Sequence, residues 1–183
     1  MISIIRKRIS NIINLLSGEI NIKSFWKIRQ KIINKNNLIL LPWYYIRYQR
    51  MLTKSGASIP IATKFLGKPI LPHKLYGIFI SAGSQIGKNC VIFHQVTIGS
   101  NTLGNSTNKG SPVIGNNCYI GAGAKIIGNI KIGNNVRIGA NCIVTEDIPD
   151  NYTVVLNKPR LIKKKDNTND WIPYEELIKE KRT

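Results

Sequence analysis

Ten apolar residues fall on one six-residue grid: Ile80, Ile86, Ile92, Ile98, Ile114, Ile120, Ile126, Ile132, Ile138 and Val144. Glycine follows directly at Gly87, Gly99, Gly115, Gly121, Gly133 and Gly139. Four residues after each grid position stands something small or β-branched: Ser84, Cys90, Val96, Thr102, Cys118, Ala124, Ile130, Val136, Cys142 and Ile148. A period of six fits neither the 3.6 of a helix nor the alternation of a meandering sheet. It fits a parallel β-helix, in which three short strands make a triangular coil and the next coil stacks on it. The grid residue points inward, the i+4 residue shares the narrow interior, and glycine serves the turn.

The grid extends backward through Leu71, Phe65 and Ile59, so the coil is expected over residues 58–156. Two interruptions break its register. Leu71 to Ile80 spans nine residues instead of six, and the excess holds Pro72 and His73. Between Ile98 and Ile114 the polar stretch Ser100 to Ser111 leaves the coil as a loop over 100–111. Interruptions of a solenoid are where function is usually placed. Residues 1–57 read as a helical N-terminal region. Ile2, Ile5, Ile9, Ile12 and Leu16 share one helical stripe, and Ser24 is placed to cap a second helix bearing Phe25, Ile28 and Ile32. Pro42 suits the first position of a third helix, which Gly56 ends. Residues 157–183 read as a basic tail with a short helix starting near Asp170. The helical region suits a packing appendage that builds an oligomer, or a basic amphipathic surface resting on an anionic membrane.

The net charge is +18, from 27 Lys and Arg against 9 Asp and Glu. Such a balance suits nucleic acid, an anionic membrane or a phosphate-bearing ligand, although drift toward Ile, Lys and Asn produces it equally well. No basic stripe interleaved with aromatics is present, so nucleic acid is not an expected partner. Cys90, Cys118 and Cys142 all take the small inward slot, read as buried hydrophobes, and lack the spacing of a metal site or a disulfide framework. No metal is expected, and a reducing compartment is. The longest apolar run, Leu38 to Ile46, is broken by Pro42, and the N-terminus does not read as a secretory signal. The expected location is cytoplasmic, with peripheral contact at the inner face of the membrane left open.

Four stretches carry a family resemblance: P-H-K-L-Y-G-I-F-I (Pro72 to Ile80), H-Q-V-T-I-G (His94 to Gly99), I-G-A-G-A-K-I-I-G-N-I (Ile120 to Ile130) and I-G-A-N-C-I-V (Ile138 to Val144). The region from His73 to Ile162 resembles the hexapeptide-repeat acyltransferases, nearest to their serine acetyltransferase-like and polysaccharide O-acetyltransferase branches. The resemblance implies a mainly β fold with left-handed winding, unusual because parallel crossovers are otherwise right-handed. It also implies a homotrimer with sites between neighbouring coils, and acetyl-CoA as cosubstrate. An acceptor hydroxyl attacking a thioester needs a general base near neutrality. Only two histidines exist. His73 aligns with the family's catalytic base. His94 stands at an outward i+2 position where the serine branch carries Gln, and remains a contact for the acceptor, a competing base or a surface residue. Cofactor contacts carry over onto Ser100, Ala122 and Ala140. The stretch V-V-L-N-K-P-R-L-I (Val154 to Ile162) resembles the family's tail, which places Arg160 near the CoA phosphates.

The departures bear on the acceptor. The Asp that precedes the catalytic His in the serine branch is Pro72 here, the Asp that orients it is Ser58, and the Arg-His pair that grips the serine carboxylate is Gly110 and Ser111. An amino-acid acceptor needs charged partners. The expected reaction is therefore acetyl transfer to a sugar hydroxyl of a surface polysaccharide or its precursor. Serine O-acetylation in cysteine biosynthesis is the alternative. A non-catalytic basic binding module is the reading from another class. A metal-dependent hydratase on the same coil would need three His ligands.

Overall fold

The structure is a computed structural model, and it describes residues 20–35 and 37–163. The ten grid residues are all buried, none more than 3% exposed, and they define the axis around which everything else is wound. Ten of twelve short strands carry them. In the first two coils the strands are β1 (Lys64–Phe65), β2 (Phe79–Ile80), β3 (Gln85–Ile86) and β4 (Val91–Ile92). The third coil holds β5 (Thr97–Gly99), β6 (Val113–Ile114) and β7 (Tyr119–Ile120). Above it lie β8 (Lys125–Ile127), β9 (Lys131–Ile132), β10 (Arg137–Ile138), β11 (Ile143–Val144) and β12 (Thr153–Val154).

Every strand pairs in parallel with the strand one coil away, giving three four-stranded sheets in the orders β2-β5-β8-β11, β1-β3-β6-β9 and β4-β7-β10-β12. The register stacks like on like: Ile80 on Ile98 on Ile126 on Val144 along one wall, and Ile92 on Ile120 on Ile138 along another. The chain is a left-handed parallel β-helix. Bridges from Ser58 to Phe79 and from Ile70 to Val91 begin the first coil, with Ile59 buried inside it. Eight of the ten i+4 residues are buried as the repeat requires. Thr102 is exposed because it lies in the loop, and Pro112 is the buried residue two positions before the next grid site. Ile148 is half-buried, because the last coil is two residues shorter and Ile148 pairs with Ile132 through a single bridge.

The turns divide their work differently from the expectation that glycine supplies the unusual backbone. At the edge between the second and third sheets, the left-handed backbone falls on Asn89, Asn117, Asn135 and Asn151, with φ of 55°, 57°, 56° and 66°. Asparagine tolerates that region because its short polar side chain bonds locally. Here the four side chains also bond to one another along the axis, each amide N–H donating to the next carbonyl oxygen at 3.1–3.2 Å. The grid-following glycines are needed for space instead. A Cβ on Gly115 would lie 2.6 Å from the Gly133 carbonyl carbon and 2.9 Å from the Asn134 nitrogen.

Two helices, α1 (Ile22–Asn34) and α2 (Leu41–Lys54), lie against the first coil. Asn21, not Ser24, caps α1: its side-chain oxygen accepts from the Ser24 amide at 3.0 Å. Phe25, Ile28 and Ile32 are buried on the expected stripe, and Phe25 stacks on Tyr48 of α2 at 5.0 Å. Pro42 sits in the first turn of α2, and Gly56, with φ of 54°, lies just beyond its end. Two polar anchors fix the helices to the coil. The buried Arg29 guanidinium donates to the carbonyls of Ile61 and Thr63, and the Tyr48 hydroxyl donates to the Ile59 carbonyl at 2.6 Å. The opposite side of the pair exposes Leu38, Ile39, Leu40, Trp43 and Ile46. No helix among the described residues is long and apolar enough to cross a membrane. The stripe from Ile2 to Leu16 and the helix expected near Asp170 lie outside the described residues.

Candidate active site

One edge of the prism, where the third sheet turns into the first, carries most of the residues that the sequence singles out. Four successive turns stack there: Tyr76–Gly77, His94–Gln95, Ala122–Gly123 and Ala140–Asn141. Backbone bonds tie each to the next, from Gln95 N–H to the Tyr76 carbonyl (2.9 Å), Gly123 N–H to His94 (3.0 Å) and Asn141 N–H to Ala122 (2.8 Å). His73 joins this edge because the three extra residues between Leu71 and Ile80 bulge out as a run of turns, closed by left-handed Lys74 and Gly77.

The two histidines meet. Their Nδ1 atoms are 2.7 Å apart, so one imidazole N–H donates to the bare nitrogen of the other, and the ring centroids lie 4.6 Å apart. Phe93 presents its ring edge-on to His73 at 5.5 Å and itself packs on Tyr119, which fixes the ring plane of His73. His73 is exposed and His94 half-buried. The acidic side chains among the described residues are Glu146, Asp147 and Asp150, all on the last coil. Two of these are spent on turns: Asp147 accepts from the Lys131 amide and Asp150 from the Asn134 amide.

Beside the histidine edge, a groove of about 530 Å³ runs over the outer face of the first sheet, between Phe79, Gln95, Thr97, Lys125 and Asn141. Ala122 is half-buried and Ala140 exposed at the border of this groove, where a small side chain leaves the backbone accessible. Gly121 allows no more: a Cβ there would lie 2.7 Å from the Ala140 nitrogen. These dimensions suit a slender thioester arm. Lys125, which the sequence quotes only as part of I-G-A-G-A-K, reaches across the groove to donate to the Gln95 carbonyl at 2.8 Å. An outward i+5 lysine next to two alanines was the available signal for it.

Ser100 is not brought to the histidine edge of the same chain. It lies at the far border of the first sheet, where its hydroxyl shares a 2.7 Å hydrogen bond with Ser111 across the neck of loop 100–111. That loop is pinned by paired backbone bonds between Asn101 and Gly110, and by Asn108, whose amide donates to the Thr145 carbonyl. Arg160 is exposed in the tail, beyond β12. The three cysteines are free and buried; the thiols of Cys90 and Cys118 donate to the Gly115 and Gly133 carbonyls and fill the interior.

Known proteins share both the repeat and the wider chain. The family described as bacterial transferase hexapeptide (six repeats) matches residues 111–146. A serine acetyltransferase of Buchnera aphidicola is 43% identical over 105 residues, covering 57% of this chain and 40% of its own length. One from Synechococcus elongatus is 34% identical over 121 residues, covering 66% and 48%. Among solved structures, the Neisseria gonorrhoeae serine acetyltransferase in complex with serine aligns with a TM-score of 0.59 at 30% identity, over 75% of this chain and 54% of that one. The chain spans about half the length of these relatives, or less. With its six-residue repeat, its stacked turns and these relatives, the chain belongs to the hexapeptide-repeat acyltransferase family.

Proposed function

We propose that this chain is an O-acetyltransferase that moves the acetyl group of acetyl-CoA to an acceptor hydroxyl, with His73 as the general base. The observation that supports it most is the exposed His73, paired with His94 in the turns beside a groove lined by Gly77, Gln95 and Gly123. The hydroxyl oxygen attacks the thioester carbonyl carbon while His73 Nε2 takes its proton. The tetrahedral oxyanion then collapses, the C–S bond breaks, and the leaving thiolate takes the proton back from the imidazolium. No metal is needed for this sequence of steps. The thioester arm lies along Ala122 and Ala140, with Arg160 of the exposed tail assigned to the CoA phosphates. Ser100, at the opposite border of the same sheet, belongs to a site completed by a neighbouring subunit, so the working form is a homotrimer.

The acceptor is read first from the relatives. The serine acetyltransferases matched here make L-serine the leading candidate and the reaction a step toward cysteine, in place of the sugar expected from the sequence alone. A neutral sugar hydroxyl stays as a second reading on one specific observation. Ser58, Pro72, Gly110 and Ser111 stand at the positions that, by the family resemblance, carry charged groups in the serine branch, and Gly110 and Ser111 are already engaged with Asn101 and Ser100. The helical pair is assigned to building the oligomer, and its apolar face with Lys27, Lys31 and Arg47 nearby is the surface by which a membrane-resting form would bind.

Thiol release from acetyl-CoA, measured on the full chain with L-serine and with a surface oligosaccharide offered separately, tests the reading. Turnover with serine selects the first acceptor, and turnover with oligosaccharide alone selects the second. His73→Ala should lower turnover by roughly 100- to 10,000-fold with CoA binding intact. Normal turnover in that variant refutes the base assignment, and a monomer in light scattering refutes the shared site.

A further inference from the structure

We propose that His94 is a positioning residue for His73: it accepts the Nδ1 proton of His73 and so keeps His73 Nε2 bare to receive a proton. This rests on the assignment of His73 as the base. An imidazole acts as a base only at a nitrogen without hydrogen, and the partner of its other nitrogen selects which one that is. The partner in this chain is a second imidazole, 2.7 Å away, Nδ1 to Nδ1.

The arrangement has two proton placements. With the hydrogen on His73, Nε2 of that exposed ring is a free acceptor. With it on His94, the His73 Nδ1 lone pair is occupied and its Nε2 carries the proton, which leaves no base. The working placement gains further once His73 has taken the acceptor's proton, because the bond to His94 is then donated by a cation and such bonds are the stronger kind. His94 is built to stay put. Its carbonyl accepts from Gly123 in the coil beyond, Gln95 donates to Tyr76 in the coil before, and Lys125 holds the Gln95 carbonyl from the side. The turn bearing His94 is thus fixed on two sides, while Phe93 holds the plane of the His73 ring. Exposure breaks the symmetry of the pair: His73 is the more open ring, and so the one whose far nitrogen meets an acceptor.

The experiment combines a spectroscopic and a kinetic reading on the full chain. With ¹⁵N-labelled histidine, at a pH where both rings are neutral, His73 in the parent protein should show the Nδ1–H form, without any substrate present. In His94→Ala it should revert to the Nε2–H form that a free imidazole prefers. In the thiol-release assay His94→Ala should lower kcat by roughly 10- to 100-fold, the worth of one hydrogen bond to a charged group. KM for the acceptor and affinity for CoA should stay near parent values. His94→Gln, whose side-chain oxygen can accept the same proton, should recover most of the loss, and it serves as the check that the site has not collapsed. An unchanged His73 tautomer in His94→Ala, or a loss expressed in acceptor KM alone, overturns the positioning role. If His73→Ala keeps turnover while His94→Ala is dead, the roles are reversed and the base assignment falls with this inference. Inactive His73→Ala together with an unaltered tautomer in His94→Ala overturns this inference alone.

Discussion

Asn117 is the test of how the turns hold the stack. It sits at φ of 57° in the middle of the asparagine ladder, accepting from Asn89 at 3.2 Å and donating to Asn135 at 3.1 Å. Replacement by alanine does two things. It places a Cβ-bearing residue without a local polar side chain in the left-handed region, a cost of ~1–2 kcal/mol. It also removes two exposed hydrogen bonds, each worth ~0.5 kcal/mol at the lower end of the usual range. The loss for Asn117→Ala is therefore about 2.5 kcal/mol in each protomer. Asn117→Gly loses the same two bonds but sits in the left-handed region freely, paying instead ~0.5 kcal/mol through a looser unfolded chain. Its loss is about 1.5 kcal/mol, so glycine should be better than alanine by ~1 kcal/mol. Urea unfolding at one fixed protomer concentration reads both midpoints without confusing folding with assembly. If alanine matches or exceeds glycine, backbone conformation is not what asparagine supplies at this edge, and the ladder of side-chain bonds alone must explain it.

Tyr48 gives an alkaline signature. Burial, partly opposed by the nearby Arg29, pushes its hydroxyl up from 10.0 to about 12. The folded value lies above the unfolded one, so its contribution is intact below pH 10 and is lost as the pH rises through 12, at about 1.4 kcal/mol per unit once the unfolded chain ionises. Tyr48→Phe should remove that part of the pH dependence, seen by unfolding at pH 9 and pH 11; a parallel decline in both proteins would show that Tyr48 is not its source. Ala140→Leu, an outward change on an exposed turn, should weaken CoA binding several-fold by calorimetry while thermal unfolding stays near that of the parent. Unchanged CoA affinity there would move the thioester arm to another face.

The interior was legible because the β-helix imposes a strict period on it: each grid residue meets the same neighbours one coil later, and a polar residue there would have no partner. The breaks were legible for the same reason, since nine residues between Leu71 and Ile80 cannot lie flat on a six-residue wall. What the period does not specify was misread. Thr102 counts as an i+4 residue along the chain, but the loop removes it and Pro112 takes the buried place. Asn89, Asn117 and Asn135 also repeat, three residues after the grid, yet they blended into a composition already heavy in Asn. At the candidate site, His73 was visible in the register break and His94 as an outward histidine. That they touch was not, because the meeting depends on how the three extra residues fold over the neighbouring coil. Ser24 lost the cap of α1 to Asn21, an equally good capping residue three positions earlier.

The stacked edge also behaves as a ruler. Parallel strands lie ~4.8 Å apart, so the turns at Tyr76, His94, Ala122 and Ala140 mark equal steps along the axis, locked by one backbone bond per step. A long ligand laid along that edge is measured in whole coils. Its length is matched by how many turns separate the histidines from the end of the stack, not by the side chains in between. Adding or deleting one eighteen-residue coil, such as the step from Ile120 to Ile138, would leave each wall intact and move the far end of the site by a single graduation. Reach, in such an architecture, changes by counting.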